Sequence, residues 1–377
     1  MSDGFAYLEE LKQQNRGANP GFSSFARYLD TKAREQGVPL SGQFELTPLC
    51  NFGCRMCYVH LTKEQMACPL LTADEWKGLM TEACENGMLR AILTGGECLT
   101  HPGFREIYGH LKSLGCEVTV LSNAALLDDE WLRYFEKYRP GAICVTLYGD
   151  SEDAYERVTG QRAFERVLSH IRAIREAGLP LEISVTPNRR LGEDVFGTIR
   201  LAKELSSAVR VNSGLTKPRQ ETGRADQVTD LDDDDYIRIF RYQNELDGIV
   251  CTEYPEEKLP KTGGPNHEGE VRGLLCGGGR SSFSIDWRGV MSPCNELEMI
   301  RAYPLRDGFE PAWRQVHEAA LQWPRAIECD GCAYASLCAR CAGRLRQFAI
   351  PGTRSLRLCE RTKRFVRQGV YSVPECE

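Results

Sequence analysis

The chain has 377 residues, of which 42% are hydrophobic and 27% are charged, and its formal net charge is −6. This composition can bury a sizeable core and excludes a wholly disordered or collagen-like chain. The mild acidic excess argues against non-specific binding to nucleic acid. Seventeen cysteines stand out, and in a chain of this size without a secretory signal they indicate metal binding or catalysis rather than disulfides.

The amino-terminal stretch MSDGFAYLEELKQQ is polar and acidic, so it fits neither a secretory signal nor an Arg-rich transit peptide. No apolar run approaches the ~18 residues that a membrane span needs. We therefore predict a cytoplasmic protein that binds neither membrane nor nucleic acid. Residues 1–41 are predicted to be a helical lead-in, with Phe22, Phe25 and Leu29 on one face for packing.

Between residue 42 and about 215, strand-like and helical stretches alternate. The predicted strands are Gln43–Thr47, Arg90–Thr94, Glu117–Leu121, Ile143–Tyr148, Glu182–Thr186 and Val209–Asn212. The helices between them include one that Thr72 and Glu75 would cap and one that ends at Gly178. Six β/α units predict a parallel sheet but are too few for a closed eight-unit barrel. We therefore predict an α/β fold with a partial (β/α)6 TIM-like barrel over residues 42–225.

Cys50, Cys54 and Cys57 directly follow the first predicted strand. A loop this short can place three thiolates around one [4Fe–4S] cube, and one iron then stays open to another ligand. A structural zinc site takes four protein ligands instead. An iron–sulfur cluster is the favoured interpretation, and zinc or plain burial of the three cysteines are the alternatives.

Residues 226–377 are predicted to hold a linker helix and a cysteine-rich C-terminal domain. Four aspartates, Asp232–Asp235, favour an acidic helix N-terminus over a metal site, because carboxylates there compensate the helix dipole. Nine of the cysteines lie between Cys251 and Cys376. Their two C-x2-C pairs suit either a zinc ribbon or iron–sulfur clusters. The excess of Lys and Arg between 325 and 367 is either a solvated surface or a countercharge for thiolate-ligated clusters.

The three-cysteine motif, with spacings of three and two residues after the first strand of a partial barrel, resembles that of the radical S-adenosylmethionine (SAM) enzymes. The resemblance covers residues 42 to about 215 and implies that SAM binds the open iron through its amino and carboxylate groups. It implies cofactor contacts at seven further positions: Tyr58, Gly95, Gly96, Glu97, Ser122, Asn123 and Arg157.

Each of these positions has an expected role. Glu97 would pair with the SAM ammonium, and Gly95 and Gly96 would let the backbone approach a ligand closely. Ser122 and Asn123 would contact the ribose, although both residue types are also common in turns at strand ends. Arg157 would meet the SAM carboxylate. Cys98 follows Glu97 at the expected barrel mouth and is a candidate hydrogen donor or substrate holder, with burial as the alternative.

The spaced cysteines of the C-terminal region resemble the SPASM extension, an auxiliary-cluster domain of some radical SAM enzymes. The resemblance implies two auxiliary [4Fe–4S] clusters. The nearer would be held by Cys276, Cys294 and Cys341, and the distal by Cys329, Cys332, Cys338 and Cys359. One departure is that Cys338 and Cys341 are separated by two residues instead of the usual three. Cys251 is predicted to be the fourth ligand of the nearer cluster; otherwise an iron stays open to a substrate thiolate.

Both resemblances imply a radical SAM enzyme, in which reductive cleavage of SAM gives a 5′-deoxyadenosyl radical that abstracts a substrate hydrogen. The auxiliary clusters would then accept an electron from the substrate radical. A flavodoxin or ferredoxin would supply the separate electron that reduces the first cluster. An apolar barrel interior would exclude water from the radical. We expect modification of a peptide or protein by a cross-link, thioether or other oxidation. The alternative is a radical SAM oxidase or dehydrogenase that acts on a small molecule or a cofactor precursor. Two alternatives outside the radical SAM class are an iron–sulfur electron carrier and a zinc-ribbon interaction protein.

Overall fold

The structure is a computed structural model. It describes residues 20–219, 230–251, 272–329 and 350–371, and between the last two ranges residues 332, 334, 335, 337, 338 and 341–345. The expected packing of Phe22 and the position of Cys376 lie outside what it describes. The strands are β1 (Ser41–Glu45), β2 (Arg90–Thr94), β3 (Glu117–Ser122), β4 (Ala142–Leu147), β5 (Leu181–Val185), β6 (Ala208–Val211), β7 (Ser282–Ile285) and β8 (Met291–Ser292).

Helices lie between and after these strands. They are α1 (Pro20–Gln36), α2 (Ala73–Glu85), α3 (Phe104–Ser113), α4 (Asp129–Lys137), α5 (Glu152–Thr159), α6 (Phe164–Glu176), α7 (Asp194–Leu205), α8 (Asp233–Leu246), α9 (Pro304–Asp307), α10 (Phe309–Leu321), α11 (Ala342–Leu345) and α12 (Leu356–Arg367). No helix in the described part of the chain combines the length and apolarity needed to cross a membrane.

The strands form one sheet in the order β6-β5-β4-β3-β2-β1-β7-β8. Every pair is parallel except β7 with β8. The six predicted strands are confirmed to within two residues at each end, and helices cross over between them as parallel pairing requires. The prediction of a partial (β/α)6 barrel is therefore confirmed.

Local capping signals act as the sequence predicts. The Thr72 hydroxyl accepts from the Glu75 backbone N–H at 3.2 Å, and the Glu75 carboxylate accepts from the Thr72 N–H at 2.7 Å. Gly178 ends the α6 segment with a φ of 63°, which a residue with a side chain rarely adopts. The Asp232 carboxylate accepts from the Asp235 N–H at 3.0 Å, so the aspartate run does begin α8.

Strands β7 and β8 were missed by the sequence analysis. β7 pairs with the outer edge of β1, and Phe283 on β7 packs against Phe44 with ring centroids 5.7 Å apart. Trp313 of α10 joins the same core and donates its indole N–H to the Gly37 carbonyl at 2.7 Å. Part of the predicted separate domain, residues 226–377, therefore extends the sheet and core of the barrel.

Helix α1 reaches the rest of the molecule through its C-terminal half, where Asp30 pairs with Arg90 and Arg34 donates to the Leu275 carbonyl. Leu29 is partly buried. Phe25, however, is 51% exposed. The predicted packing face is therefore wrong at Phe25, because the contacts that hold the helix lie nearer its C-terminal end.

Candidate active site

A cavity of about 400 Å³ opens at the carboxyl ends of strands β2 to β6. Functional side chains of α/β barrels gather at this end, because the loops that follow the strands converge there. Cys50, Cys54 and Cys57 line one part of the wall. Residues from the ends of the more distant strands and from the C-terminal region line the remainder, so the chain surrounds the three thiols with protein.

Backbone N–H groups point at two of the three sulfurs. Phe52 N–H donates to Cys50 Sγ and His60 N–H donates to Cys57 Sγ, each at 3.3 Å. The Asn123 amide lies 3.6 Å from Cys50 Sγ. Burial raises the pKa of the Cys50 thiol to about 12 and that of Cys54 well above its ordinary value. Such thiols become thiolates most readily when bound to a metal, and the N–H donors would stabilise the bound form.

The position of the three thiols around one cavity is compatible with a cube of four irons. Among the described residues, no three His, Cys, Asp or Glu side chains converge as the ligands of one ion would. In a [4Fe–4S] cluster each cysteine binds a different iron, so three thiols around a cavity need not converge on one point. The residues present therefore fit such a cluster.

Gly95 and Gly96 form the wall beside these cysteines, and neither has room for a side chain. A Cβ on Gly95 would lie 2.3 Å from the Thr47 carbonyl oxygen, and one on Gly96 would lie 2.4 Å from the Leu49 carbonyl oxygen. The Gly96 N–H donates to the Thr47 carbonyl at 2.7 Å. The glycines thus allow the chain after β2 to pack directly against the segment that leads into the cysteine loop. The sequence analysis expected the close approach to be to a ligand, whereas the described contacts are with this backbone segment.

Glu97 lies behind this wall and is only 1% exposed. Its carboxylate accepts from the Ser122 hydroxyl at 2.9 Å and from the Asn123 N–H at 2.8 Å. Burial raises the pKa of this carboxyl to about 7. Glu97 is not among the residues that line the cavity, and its contact with the SAM ammonium stays a prediction. Its structural contribution is to position the end of β3.

Ser122, Asn123 and Tyr58 do line the cavity, as expected of SAM contacts. The Asn123 amide donates to the Asn51 side chain at 2.8 Å, which ties the end of β3 to the cysteine loop. The Tyr58 hydroxyl accepts from the Asn295 amide at 2.9 Å. The sequence analysis did not predict that Asn295 lines the cavity. Its position directly after the predicted cluster ligand Cys294 is the one signal in the sequence that indicates it.

Two candidate residues lie elsewhere. Arg157 projects from α5, is about half exposed, pairs with Asp194 and is not among the residues that line the cavity, so its contact with the SAM carboxylate stays a prediction. Cys98 is fully buried and its thiol donates to the Leu121 carbonyl at 3.2 Å. This position favours the alternative of burial over a role as hydrogen donor or substrate holder.

The far wall of the cavity is polar, in contrast to the apolar interior expected from the sequence. Asn212 donates to the hydroxyls of Ser184 and Thr186 at 3.2 and 2.8 Å. Arg210 and Arg344 also line the cavity; Arg210 is largely exposed and pairs with Glu182, and Arg344 donates to the Ser213 hydroxyl at 3.0 Å. The sequence contains a signal for this polar wall, namely the alternation of polar residues along β5 and β6. Every second residue of a strand faces the same side, so these polar residues share one face.

The cysteines of the C-terminal region fall into two groups. The pKa of Cys294 is raised to about 12, chiefly by burial and also by the neighbouring thiols of Cys341 and Cys276. The pKa of Cys329 is likewise raised by burial and then by the thiols of Cys359, Cys338 and Cys332. This grouping matches the division that the resemblance implies, and the ligand roles stay predictions.

Cys251 stands apart from both groups. Its thiol accepts from the Asn244 amide of α8 at 3.4 Å, and Asn244 also donates to the Val370 carbonyl. Cys251 is not among the groups that shift the pKa of the Cys294 thiol most strongly, whereas Cys341 and Cys276 are. The described contacts therefore do not support its prediction as the fourth ligand of the nearer cluster.

A buried ion pair joins the barrel to the C-terminal region beside the cysteine loop. Arg219 donates to both carboxylate oxygens of Glu45, at 2.7 and 3.1 Å, and also pairs with Glu298. The Arg219 guanidinium lies 5.7 Å from the centre of the Tyr58 ring. Thr216 adds a hydrogen bond to Glu296 at 2.8 Å. These contacts hold the segment that follows Cys294 against the cavity.

Comparison with known proteins agrees with this geometry. Residues 44–207 match the family model described as the Radical SAM superfamily. The "AdoMet-dependent heme synthase" of Methanosarcina barkeri is 28% identical over 328 residues, covering 82% of this chain and 92% of that protein. A "Probable GTP 3',8-cyclase" of Saccharolobus islandicus is 33% identical over 173 residues, covering 45% of this chain and 55% of the cyclase, so the match spans about half of its length.

Two solved structures share the fold. Streptococcus suis SuiB has a TM-score of 0.63 at 16% identity, covering 95% of this chain and 87% of that chain. Native anSMEcpe with bound AdoMet has a TM-score of 0.63 at 14% identity, covering 87% and 96%. Fold, site and family model together define an enzyme that works with SAM and a [4Fe–4S] cluster. Residues 44–207 therefore match a radical SAM domain, and the cysteine-rich C-terminal region fits the auxiliary-cluster type.

Proposed function

We propose that this radical SAM enzyme oxidises a peptide or protein, forming a cross-link, a thioether or a related product. The observation that carries the proposal is the cavity itself, because it brings the three thiols and a polar wall together at the barrel mouth. Both structural neighbours have also been solved with peptides, SuiB "bound to precursor peptide SuiA" and anSMEcpe with "Kp18Cys peptide". That likeness concerns the fold, and it supports a peptide substrate here by analogy.

In this proposal Cys50, Cys54 and Cys57 hold the SAM-binding cluster, and Gly95, Gly96, Ser122, Asn123 and Tyr58 form the wall against which SAM lies. Bound SAM and its cluster supply the radical that removes a hydrogen from the substrate. The residues of the chain hold the reactants in one cavity and keep water and stray reductant away from them. Reducing electrons come from a flavodoxin- or ferredoxin-type donor.

A second candidate is the oxidation of a small molecule that carries carboxylates. Arg344 lines the cavity and its guanidinium donates to the Ser213 hydroxyl, so its charge favours an anionic group at this wall. The heme synthase of Methanosarcina barkeri matches most of this chain, and haem carries carboxylate side chains. This observation gives a tetrapyrrole substrate specific support.

Anaerobic assays with both substrate classes distinguish these proposals. Reconstituted enzyme, SAM and dithionite are incubated either with peptides encoded beside the gene or with an iron tetrapyrrole that carries carboxylates. We expect a peptide to stimulate 5′-deoxyadenosine formation and to lose two hydrogens by mass spectrometry. Consumption of the tetrapyrrole with no change in any peptide would favour the second candidate. Failure to form 5′-deoxyadenosine from SAM under any condition would contradict both.

Iron content tests the proposed number of clusters. We expect about twelve irons per chain after anaerobic reconstitution, because three ligand groups would each hold a four-iron cube. Iron and acid-labile sulfide are measured together, with zinc determined on the same sample. About four irons together with retained zinc would show that the C-terminal thiols bind zinc instead.

A Cys251→Ala variant tests the fourth ligand of the nearer auxiliary cluster. If Cys251 closes this cluster, the variant should still cleave SAM, show an altered auxiliary-cluster electron paramagnetic resonance spectrum, and form less product per 5′-deoxyadenosine. Asn244→Ala is the matched control, because it removes the described partner of the Cys251 thiol and leaves the sulfur in place. An unchanged spectrum and full product yield in Cys251→Ala would exclude ligation and favour an iron open to a substrate thiolate.

A further inference from the structure

Two cysteines that belong to neither predicted ligand group meet at the end of the sheet opposite the cavity. Cys84 lies in the last turn of α2, and Cys116 directly precedes β3. Their sulfur atoms are 3.2 Å apart, although 32 positions separate the residues in the sequence. A disulfide bond is about 2.05 Å long, so side-chain movements of roughly 1 Å would close the pair.

The surroundings give the two thiols different roles. Cys84 is partly exposed, whereas Cys116 is buried. The Lys112 ammonium donates to the Cys116 carbonyl at 3.3 Å. The two thiols share a hydrogen bond in which either sulfur can be the donor. An external reagent therefore meets the partly exposed Cys84 first, and the Cys116 thiol lies directly behind it.

We propose that Cys84 and Cys116 are a reversible thiol–disulfide modification site that works independently of the iron-ligating cysteines. The oxidant is a low-molecular-weight disulfide such as glutathione disulfide. Cys84 attacks it as a thiolate, forms a mixed disulfide and releases one glutathione. Cys116 then attacks the Cys84 sulfur and releases the second glutathione. Two thiol hydrogens and two electrons pass to glutathione disulfide, which becomes two glutathione molecules.

The new bond would tie the end of α2 to the start of β3. Strand β2 lies between these two elements in the sequence and pairs with β3. It leads into Gly95 and Gly96 of the cavity wall. A cross-link over this many residues restricts the unfolded chain and so stabilises the folded one. The oxidised enzyme should therefore unfold a few degrees higher than the reduced enzyme, a shift that reverses with dithiothreitol.

The test uses the anaerobic, fully reconstituted enzyme. It is equilibrated with glutathione disulfide, alkylated under denaturing conditions, digested and analysed by mass spectrometry. We expect a cross-linked peptide pair that contains Cys84 and Cys116, a higher unfolding midpoint and unchanged iron content. Cys84→Ser should lose both the cross-link and the shift in midpoint. Cys68→Ser is the matched control, because Cys68 is also partly exposed and belongs to neither ligand group, and it should keep both.

Two results would overturn the proposal. One is recovery of Cys84 and Cys116 as alkylated thiols, or Cys84 as a stable glutathione adduct, after equilibration with excess oxidant. The other is loss of iron in step with the cross-link, which would show that the pair does not react independently of the clusters. Both measurements can be made on the wild-type enzyme, so the test does not depend on the folding of a variant.

Discussion

Replacing Cys50, Cys54 and Cys57 together by Ala is expected to abolish SAM cleavage while leaving about eight irons per chain. The three thiols line the cavity beside Gly95 and Gly96, and they are remote in sequence from both C-terminal groups. Only the three-ligand cluster would keep an iron open to SAM. The measurements are 5′-deoxyadenosine formation with dithionite and the iron content of the same preparation.

Cys98→Ala is the control for this prediction. Cys98 lies close to the site in sequence, but its side chain is fully buried and contacts the β3 backbone instead of the cavity. The variant should therefore retain SAM cleavage and its full iron content, at the stability cost of a small deletion in the core. Continued 5′-deoxyadenosine formation by the triple variant would place the active cluster elsewhere, among the C-terminal thiols.

The parallel sheet could be predicted because each of its strands carries a local signal. Six short apolar runs alternate with amphipathic helices, and caps such as Thr72 with Glu75 mark where helices begin. β7 and β8 lack this context, since they lie among Gly-rich loops. β7 joins the sheet by pairing with β1, which is distant in sequence, and β8 joins it by pairing with β7. Pairing of this kind depends on tertiary packing and leaves little trace in local periodicity.

The candidate site was predictable to a different extent for different residues. The positions of the three cysteines follow from their short loop after β1. The role of Glu97 does not follow from its position after two glycines, because the direction of its side chain depends on partners supplied by β3. Arg157 illustrates the same limit, since a strand–helix position does not tell which face of α5 the side chain occupies. Asn295 reaches the cavity only because the C-terminal region folds back onto the barrel.

A buried ion pair of Arg219 with Glu45 and Glu298 holds the C-terminal region against the barrel. Because the charges are buried, the stability of the protein should be sensitive to their substitution. The side chains of Arg219 and Glu45 are 9% and 2% exposed, and their two hydrogen bonds form a bidentate pair. Burial raises the pKa of Glu45, and Arg219 opposes that shift. Removing one member of a buried pair leaves the other charge uncompensated, which typically costs about 3–5 kcal/mol of stability.

Arg219→Met should therefore lower the free energy of unfolding by about 3–5 kcal/mol, measured from urea transitions of the anaerobic enzyme. Arg162→Met is the matched control. Arg162 also pairs with two carboxylates, of Asp153 and Glu156, but its side chain is 57% exposed, so the loss should be much smaller than that of Arg219→Met. Equal losses in the two variants would show that burial of the Arg219 pair contributes nothing special.

The pH dependence of this loss identifies Glu45 as its source. Without Arg219, the pKa of buried Glu45 should rise further above its ordinary value, because burial favours the neutral acid. A group with a raised folded-state pKa stabilises the fold below its unfolded pKa, and that stability is lost as the pH rises through the folded-state value. The deficit of Arg219→Met should therefore shrink as the pH is lowered through the raised folded-state pKa of Glu45. The double variant Glu45→Gln with Arg219→Met should recover much of the lost stability and remove this dependence, since no uncompensated carboxylate then remains at Glu45. A deficit that is constant with pH and persists in the double variant would instead assign the loss to the contacts of Arg219 with Glu298 and Tyr58.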